Sequence, residues 1–321
     1  MLALLLALGL LVIGTPLLVV GADWFLDGVV DLARALGVSA LVLGVVLAGL
    51  EPEEMLTAAI ASARGAPSLA VGNVIGTNVT IVTLALGLSA LITPMVIDIR
   101  VRRQALMATL VSILPIALLL LKGVSQLEGV LLLAVFTGYT IFLLRADRDA
   151  VKRMEALEAN NDDDDQEQST RPRFKWKPVL LTVSGLAAMA IGGPSIVEGA
   201  LRLAQLVGLG EGVVGATIVS LGTGAEMIAL GVSAPRKKQS DILVGGILGS
   251  FAYNLLVTLG LAAAIHAIPV DPQMTHIALP IMILVHLMLL ALIWTGKIPR
   301  VMGGLLVGVY TVYLLSVVLL R

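Results

Sequence analysis

Two five-residue stretches, Gly49-Leu50-Glu51-Pro52-Glu53 and Gly222-Thr223-Gly224-Ala225-Glu226, lie 173 positions apart, and in both a glutamate stands four residues after a glycine. At the same offset Val71 to Asn78 (VGNVIGTN) falls on Val244 to Phe251 (VGGILGSF), and Asp98 falls on Asp271, with no gap between the matched segments. Upstream, DGVVDLARALG resembles EGALRLAQLVG at a shift of 171, so a short insertion near Gly210 separates the two registers. The chain is a duplication.

What surrounds these stretches fixes the solvent. Of 321 residues, 58% are hydrophobic and 13% charged, too apolar for a chain that must present a polar surface to water. Apolar runs of about 20 residues, the length that crosses a bilayer core, recur almost from end to end. Breaks at Gly, Pro and charge predict spans near 2–30, 38–62, 68–93, 103–121 and 126–145, then near 178–207, 212–234, 241–268, 275–295 and 300–320. The first run lacks a basic leader and a small-residue cleavage site, so it reads as a retained helix. With no Cys, three His and a net charge of -1, the chain offers neither a thiolate metal site nor a basic face for nucleic acid. No nucleophile–base pair, phosphate loop or zinc spacing is present, so no enzymatic activity and no cofactor are expected.

The stretch from Arg145 to Lys177 is rich in charge and includes Asn160 to Asp165. Such a composition buries too little apolar surface to fold alone, and the Asp run lacks the alternating ligands and central Gly of an EF-hand. It divides the chain into a first transmembrane repeat (1–145), an acidic linker (146–176) and a second repeat (177–321). Basic residues fall in alternate loops: Arg34; Arg100, Arg102 and Arg103; the linker; Arg236, Lys237 and Lys238; Lys297 and Arg300. The positive-inside rule makes those loops cytoplasmic, puts both termini outside and calls for about ten spans. Five spans per half invert the second half, and inverted repeats set a substrate site near the membrane midplane.

Carboxylates at that depth cost about 2.5–3.5 kcal/mol each on the insertion scale, which makes Glu51, Glu53, Glu54 and Glu226 candidates for function. On the helix expected there, Glu51 and Glu54 lie about 60° apart on one face while Glu53 points roughly 100° to 160° away from them. The repeat pairs Glu53 with Glu226, leaving Glu51 opposite Gly224 and Glu54 opposite Met227, so Glu53 and Glu226 are the expected site carboxylates. Pro52 removes a helical donor from the carbonyl of Ala48, and freed carbonyls can face a cation. The next spans add the neutral oxygens of Asn73, Thr77, Asn78, Ser250 and Asn254, and carboxylates with such oxygens suit a hard cation.

Two repeats that each carry a Gly-x-x-x-Glu, followed by a GNVIGTN-like stretch, make nearly the whole chain resemble the sodium/calcium exchanger (cation/Ca2+ antiporter) superfamily. The resemblance implies an all-α polytopic membrane protein of about ten transmembrane helices, in two inverted-topology five-helix repeats with motifs at 44–94 and 217–268. It implies a secondary antiporter exchanging Ca2+, or another divalent cation, for Na+ or H+ by alternating access. The first and sixth helices would slide against a core that holds the ion. The partners implied are the lipid bilayer and small cations, and the implied location is a prokaryotic cell (inner) membrane. The family's glutamates fall on Glu53 and Glu226, and the implied cation ligands extend to Thr77, Asn78, Thr223, Ser250 and Asn254. Both copies depart from the family's GTSLPE: it reads AGLEPE at Ala48 to Glu53 and LGTGAE at Leu221 to Glu226. Gly49 and Leu50 stand where hydroxyl residues are common, and Ile81 removes a further polar ligand. A channel or a non-transporting scaffold on the same fold is the rival expectation.

Overall fold

The computed structural model describes residues 2–36, 51–63, 65, 67–121, 123–159, 176–207, 220–236, 240–269 and 274–319. Among them the chain forms helices α1 (Leu2–Leu36), α2 (Pro52–Ala63), α3 (Pro67–Thr80, a π segment Ile81–Ala85, then Leu86–Ile92), α4 (Arg100–Leu121) and α5 (Gln126–Ala159). The second half follows with α6 (Trp176–Val207), α7 (Ser220–Thr223 and Ala225–Arg236), α8 (Ser240–Tyr253, a π segment Asn254–Thr258, then Leu259–Ile265), α9 (π segment Met274–Ala278, then Leu279–Thr295) and α10 (Arg300–Leu319). Seven described helices are long and apolar enough to cross a membrane. The fold is the expected inverted repeat of ten helices.

Backbone geometry reproduces the 173-residue offset. Pro52–Ala63 matches Ala225–Arg236, Pro67–Thr80 matches Ser240–Tyr253, the two π segments match, and Leu86–Ile92 matches Leu259–Ile265. From α4 onward the register is 174: α4 opens at Arg100 against Met274, and α5 at Gln126 against Arg300. The helices α4 and α9 both stop just before a left-handed residue, Gly123 (φ 83°) and Gly296 (φ 72°), a conformation that glycine adopts without steric cost.

The central elements are α3 and α8, whose apolar windows are 78% and 94% buried against 12% for α1. Glycines permit the close crossings. A Cβ on Gly129 of α5 would lie 2.5 Å from the Gly260 carbonyl of α8, and one on Gly303 of α10 would lie 2.7 Å from the Gly87 carbonyl of α3. These are the same crossing in each repeat. The antiparallel pair α1 and α6 meets at Gly28 against Thr182 and at Gly185 against Phe25 and Gly21. With lipid as apolar as Leu, such small-residue approaches are what binds helix to helix.

Loops are paired at both ends. The strands β1 (Met95–Val96) and β2 (Lys297–Ile298) pair antiparallel, joining the α3–α4 loop to the α9–α10 loop. At the other end Val124 and Ile268 exchange N–H···O bonds of 2.9 and 2.8 Å, joining the α4–α5 and α8–α9 loops. The last carbonyl of each interrupted helix is capped from the opposite repeat, by the first residue of α10 or of α5. Arg300 donates to Ile92 O at 3.4 Å, and its counterpart Gln126 donates to Ile265 O at 3.0 Å.

Two expectations differ from what is found. Glu51 is not inside a helix: Pro52 opens α2, and the Glu51 carbonyl accepts the first N–H bonds, from Glu54 and Met55 at 3.1 and 3.2 Å. Proline favours this first helical position, where its missing N–H would have no partner anyway, so the helical-wheel relation between Glu51 and Glu54 does not hold. The carbonyl of Ala48 lies outside the described residues. Helix α5 also continues past Arg145 to Ala159, because the start of the expected linker is rich in helix formers such as Ala, Arg, Lys, Met and Glu.

Candidate cation site

The two helix starts on either side of α3 and α8 bring carboxylates to the centre. Residues 51 and 224 are equivalent, one just before α2 and one at the break in α7. Gly224 sits in that break because a Cβ there would lie 3.1 Å from both Ser220 O and Thr80 Cγ2. Glu226 follows in the first turn of the second α7 segment, 7% exposed, where the positive end of the helix dipole favours an acid. Glu51 and Glu54 are fully buried at the start of α2.

Across the repeat boundary α8 meets Glu51. Ser250 Oγ donates to Glu51 Oε1 at 2.7 Å, and Asn254 Nδ2 donates to Glu51 Oε2 at 3.0 Å. The second Asn254 N–H reaches Asn78 Oδ1 of α3 at 3.3 Å, and the Asn254 oxygen accepts from Thr258 Oγ1 at 3.3 Å. Asn78 in turn donates to Met282 Sδ of α9 at 3.8 Å. All of these polar residues are fully buried. Donors satisfy both oxygens of Glu51, which is what a buried carboxylate requires. The π segments lie at this level: Asn254 is the first residue of one, and Ile81, fully buried, is the first residue of the other.

Of the residues expected from sequence, Asn78, Ser250 and Asn254 come together in one network. Thr77 is fully buried on α3 beside Asn78, and Glu226 is buried on α7. The side chains of Glu53 and Thr223 lie outside the described residues. The sequence pattern gives Glu51 a lesser role than the structure does, because it makes residue 51 an interior helical position opposite a glycine. The signal available was Pro52 itself, whose preference for the first helical turn puts the preceding residue at a cap facing the interior. Chemically, the network assembles oxygens of a carboxylate, amides and hydroxyls, the donor set of hard cations.

The family model of the sodium/calcium exchanger protein matches residues 6–145 and 177–319, leaving out only the linker and the ends. The chain belongs to the sodium/calcium exchanger family. Its relatives in that family include the inner membrane protein YrbG of Escherichia coli, 30% identical over 318 residues, spanning 97% of this chain and 96% of the relative. Another is the sodium/calcium exchanger MaX1 of Methanosarcina acetivorans, 28% identical over 338 residues, spanning 95% and 96%. Among solved structures, the sodium-calcium exchanger NCX_Mj soaked with Na+ and Sr2+ superposes with a TM-score of 0.79, at 26% identity, covering 99% of this chain and 100% of that one.

Proposed function

We propose that this exchanger-family chain is a secondary antiporter that carries Ca2+, or another divalent cation, in exchange for Na+ or H+ by alternating access. The observation that carries the reading is the Glu51 carboxylate, buried where α2 begins and bound by Ser250 and Asn254 of the opposite repeat. Glu51, Glu53 and Glu226 supply the charge, and Thr77, Asn78, Thr223, Ser250 and Asn254 supply neutral oxygens. Carboxylates gathered in a poorly solvated site repel one another unless positive charge lies between them. A divalent ion, Na+ ions or protons can each provide it. Loads that compete for the same oxygens displace one another, and that competition is what exchange requires. The glycine-lined pair α1 and α6 is the element that moves past the α3–α8 core.

Orientation follows the basic loops: both termini outside and residues 146–176 cytoplasmic. The β1–β2 pairing supports it by joining two loops that lead into basic helix starts, Arg100, Arg102 and Arg103 opening α4 and Arg300 opening α10 after Lys297 of β2. So does the difference between the two equivalent caps, Arg300 on that face and neutral Gln126 on the other.

The test is Ca2+ efflux from loaded proteoliposomes under an inward Na+ gradient at fixed pH, then under a pH gradient without Na+. Efflux that requires one gradient names the counter-ion. Efflux that proceeds equally with neither would mean a channel, and none under any gradient would sink the transport reading.

A further inference from the structure

The Asn254 amide has two ends with opposite chemistry, and they face different neighbours. Its N–H groups point to Glu51 Oε2 and Asn78 Oδ1, and its oxygen points to Thr258 Oγ1. In this arrangement the amide protons occupy the side of Glu51 and Asn78 that a cation would take. An amide can join a cation's shell only through its oxygen, so Asn254 must turn over for that oxygen to face Glu51 and Asn78. The N–H groups then face Thr258.

We propose that Thr258 is a positioning residue whose hydroxyl supports both orientations of the Asn254 amide, so that the amide can turn over when a cation binds. A hydroxyl carries one proton and two lone pairs. It donates to the amide oxygen in the arrangement seen here and accepts from the amide nitrogen in the other. Without it both arrangements lose a bond, but the present one loses a single contact to a carbonyl oxygen while the turned amide leaves buried N–H groups unsatisfied, so the larger penalty falls on the cation-bound state.

Two observations set Thr258 apart from an ordinary buried threonine. Thr83, Ser112 and Thr182 turn their hydroxyls onto the backbone carbonyl four residues back, whereas Thr258 bonds the side chain of Asn254. The internal repeat supplies a control. At the equivalent π segment the pair Asn254 and Thr258 is replaced by Ile81 and Ala85, both fully buried. Packing at this place needs no hydroxyl, and the hydroxyl is present in the copy that has the amide.

This inference rests on the cation-site reading, and the experiment separates the two. Ca2+ binding to purified protein is measured by calorimetry in Na+-free buffer for Thr258→Val and Thr258→Ser, each alone and with Asn254→Asp. Thr258→Val is expected to weaken Ca2+ binding by about tenfold, the scale of a buried unsatisfied amide, with Thr258→Ser within about threefold of wild type. A carboxylate at position 254 has two equivalent oxygens and no end to choose, so in the Asn254→Asp background the effect of Thr258→Val should shrink below about twofold. Should Asn254→Asp fail to fold, exchange kinetics decide instead: Thr258→Val should raise the Ca2+ KM at unchanged maximal rate, and Thr258→Ser should restore it. Wild-type affinity in Thr258→Val, an equal loss in both backgrounds, or no rescue by serine would overturn the proposal. If Glu51→Gln binds Ca2+ like wild type, it is the site reading that fails, whatever Thr258 does.

Discussion

Ser250 donates its hydroxyl to Glu51 Oε1 at 2.7 Å across the boundary between the two repeats, residues 199 positions apart in the chain. Neither half holds this carboxylate alone. Replacing Glu51 by Gln keeps the shape but removes a charge and turns one acceptor into a donor facing Ser250 or Asn254. Ca2+ exchange in proteoliposomes should fall by about 10- to 100-fold, the scale of a lost hydrogen bond to a charged group. Glu226→Gln and Glu53→Gln are expected to abolish exchange. Uptake of radioactive Ca2+ at the wild-type rate in Glu51→Gln would remove residue 51 from the site.

The glycine crossings give a stability prediction with its own control. At Gly129 an added Cβ would meet Gly260 O at 2.5 Å and Ala264 N at 2.6 Å, and at Gly303 it would meet Gly87 O at 2.7 Å and Leu91 N at 2.9 Å. Backbone cannot yield locally, so Gly129→Ala and Gly303→Ala should each destabilise by about 1–3 kcal/mol, the usual cost of overpacking. At Gly138, inside α5, nothing lies within 4 Å, so Gly138→Ala should unfold at or slightly above the wild-type temperature, since Ala favours the helix over Gly. Thermal unfolding in detergent checks all three, and equal midpoints would contradict the crossings.

Because the natural chain contains no Cys, single cysteines report on sidedness with no background to remove. A membrane-impermeant maleimide added to intact cells should label Ser125→Cys, beside the Val124–Ile268 contact. It should spare Lys297→Cys in β2 until the membrane is opened. The reverse pattern would invert the orientation.

Neutral replacement of Asp162 to Asp165 should leave Ca2+ exchange unchanged, since no ligand is assigned to residues 146–176. Loss of exchange, together with Ca2+ binding by the isolated segment, would make it a sensor.

The repeat was the most legible feature of the sequence because a backbone register is written in residue spacing. The offset of 173 residues pairs Pro52 with Ala225 and Ile81 with Asn254. The buried polar network was legible in residue type at Asn78, Ser250 and Asn254, where polar atoms in an apolar span mark a buried role. Glu51 was not, since its place depends on where a helix begins rather than on which residues neighbour it. Thr258 is not marked by its residue type either: a threonine in a membrane helix usually bonds its own backbone, and only the direction of its hydroxyl tells otherwise.

Segments Ile81–Ala85 and Asn254–Thr258 widen their helices at the same register, although one is lined by Ile and Ala and the other by Asn and Thr. The widened turn is therefore common property of both halves and does not depend on the side chains that line it. On that shared frame one copy supplies the acid before α2 and the other the amide and its hydroxyl. A change that altered the shared turn would be felt in both halves, whereas exchanging a single side chain at it retunes one half and leaves the frame intact.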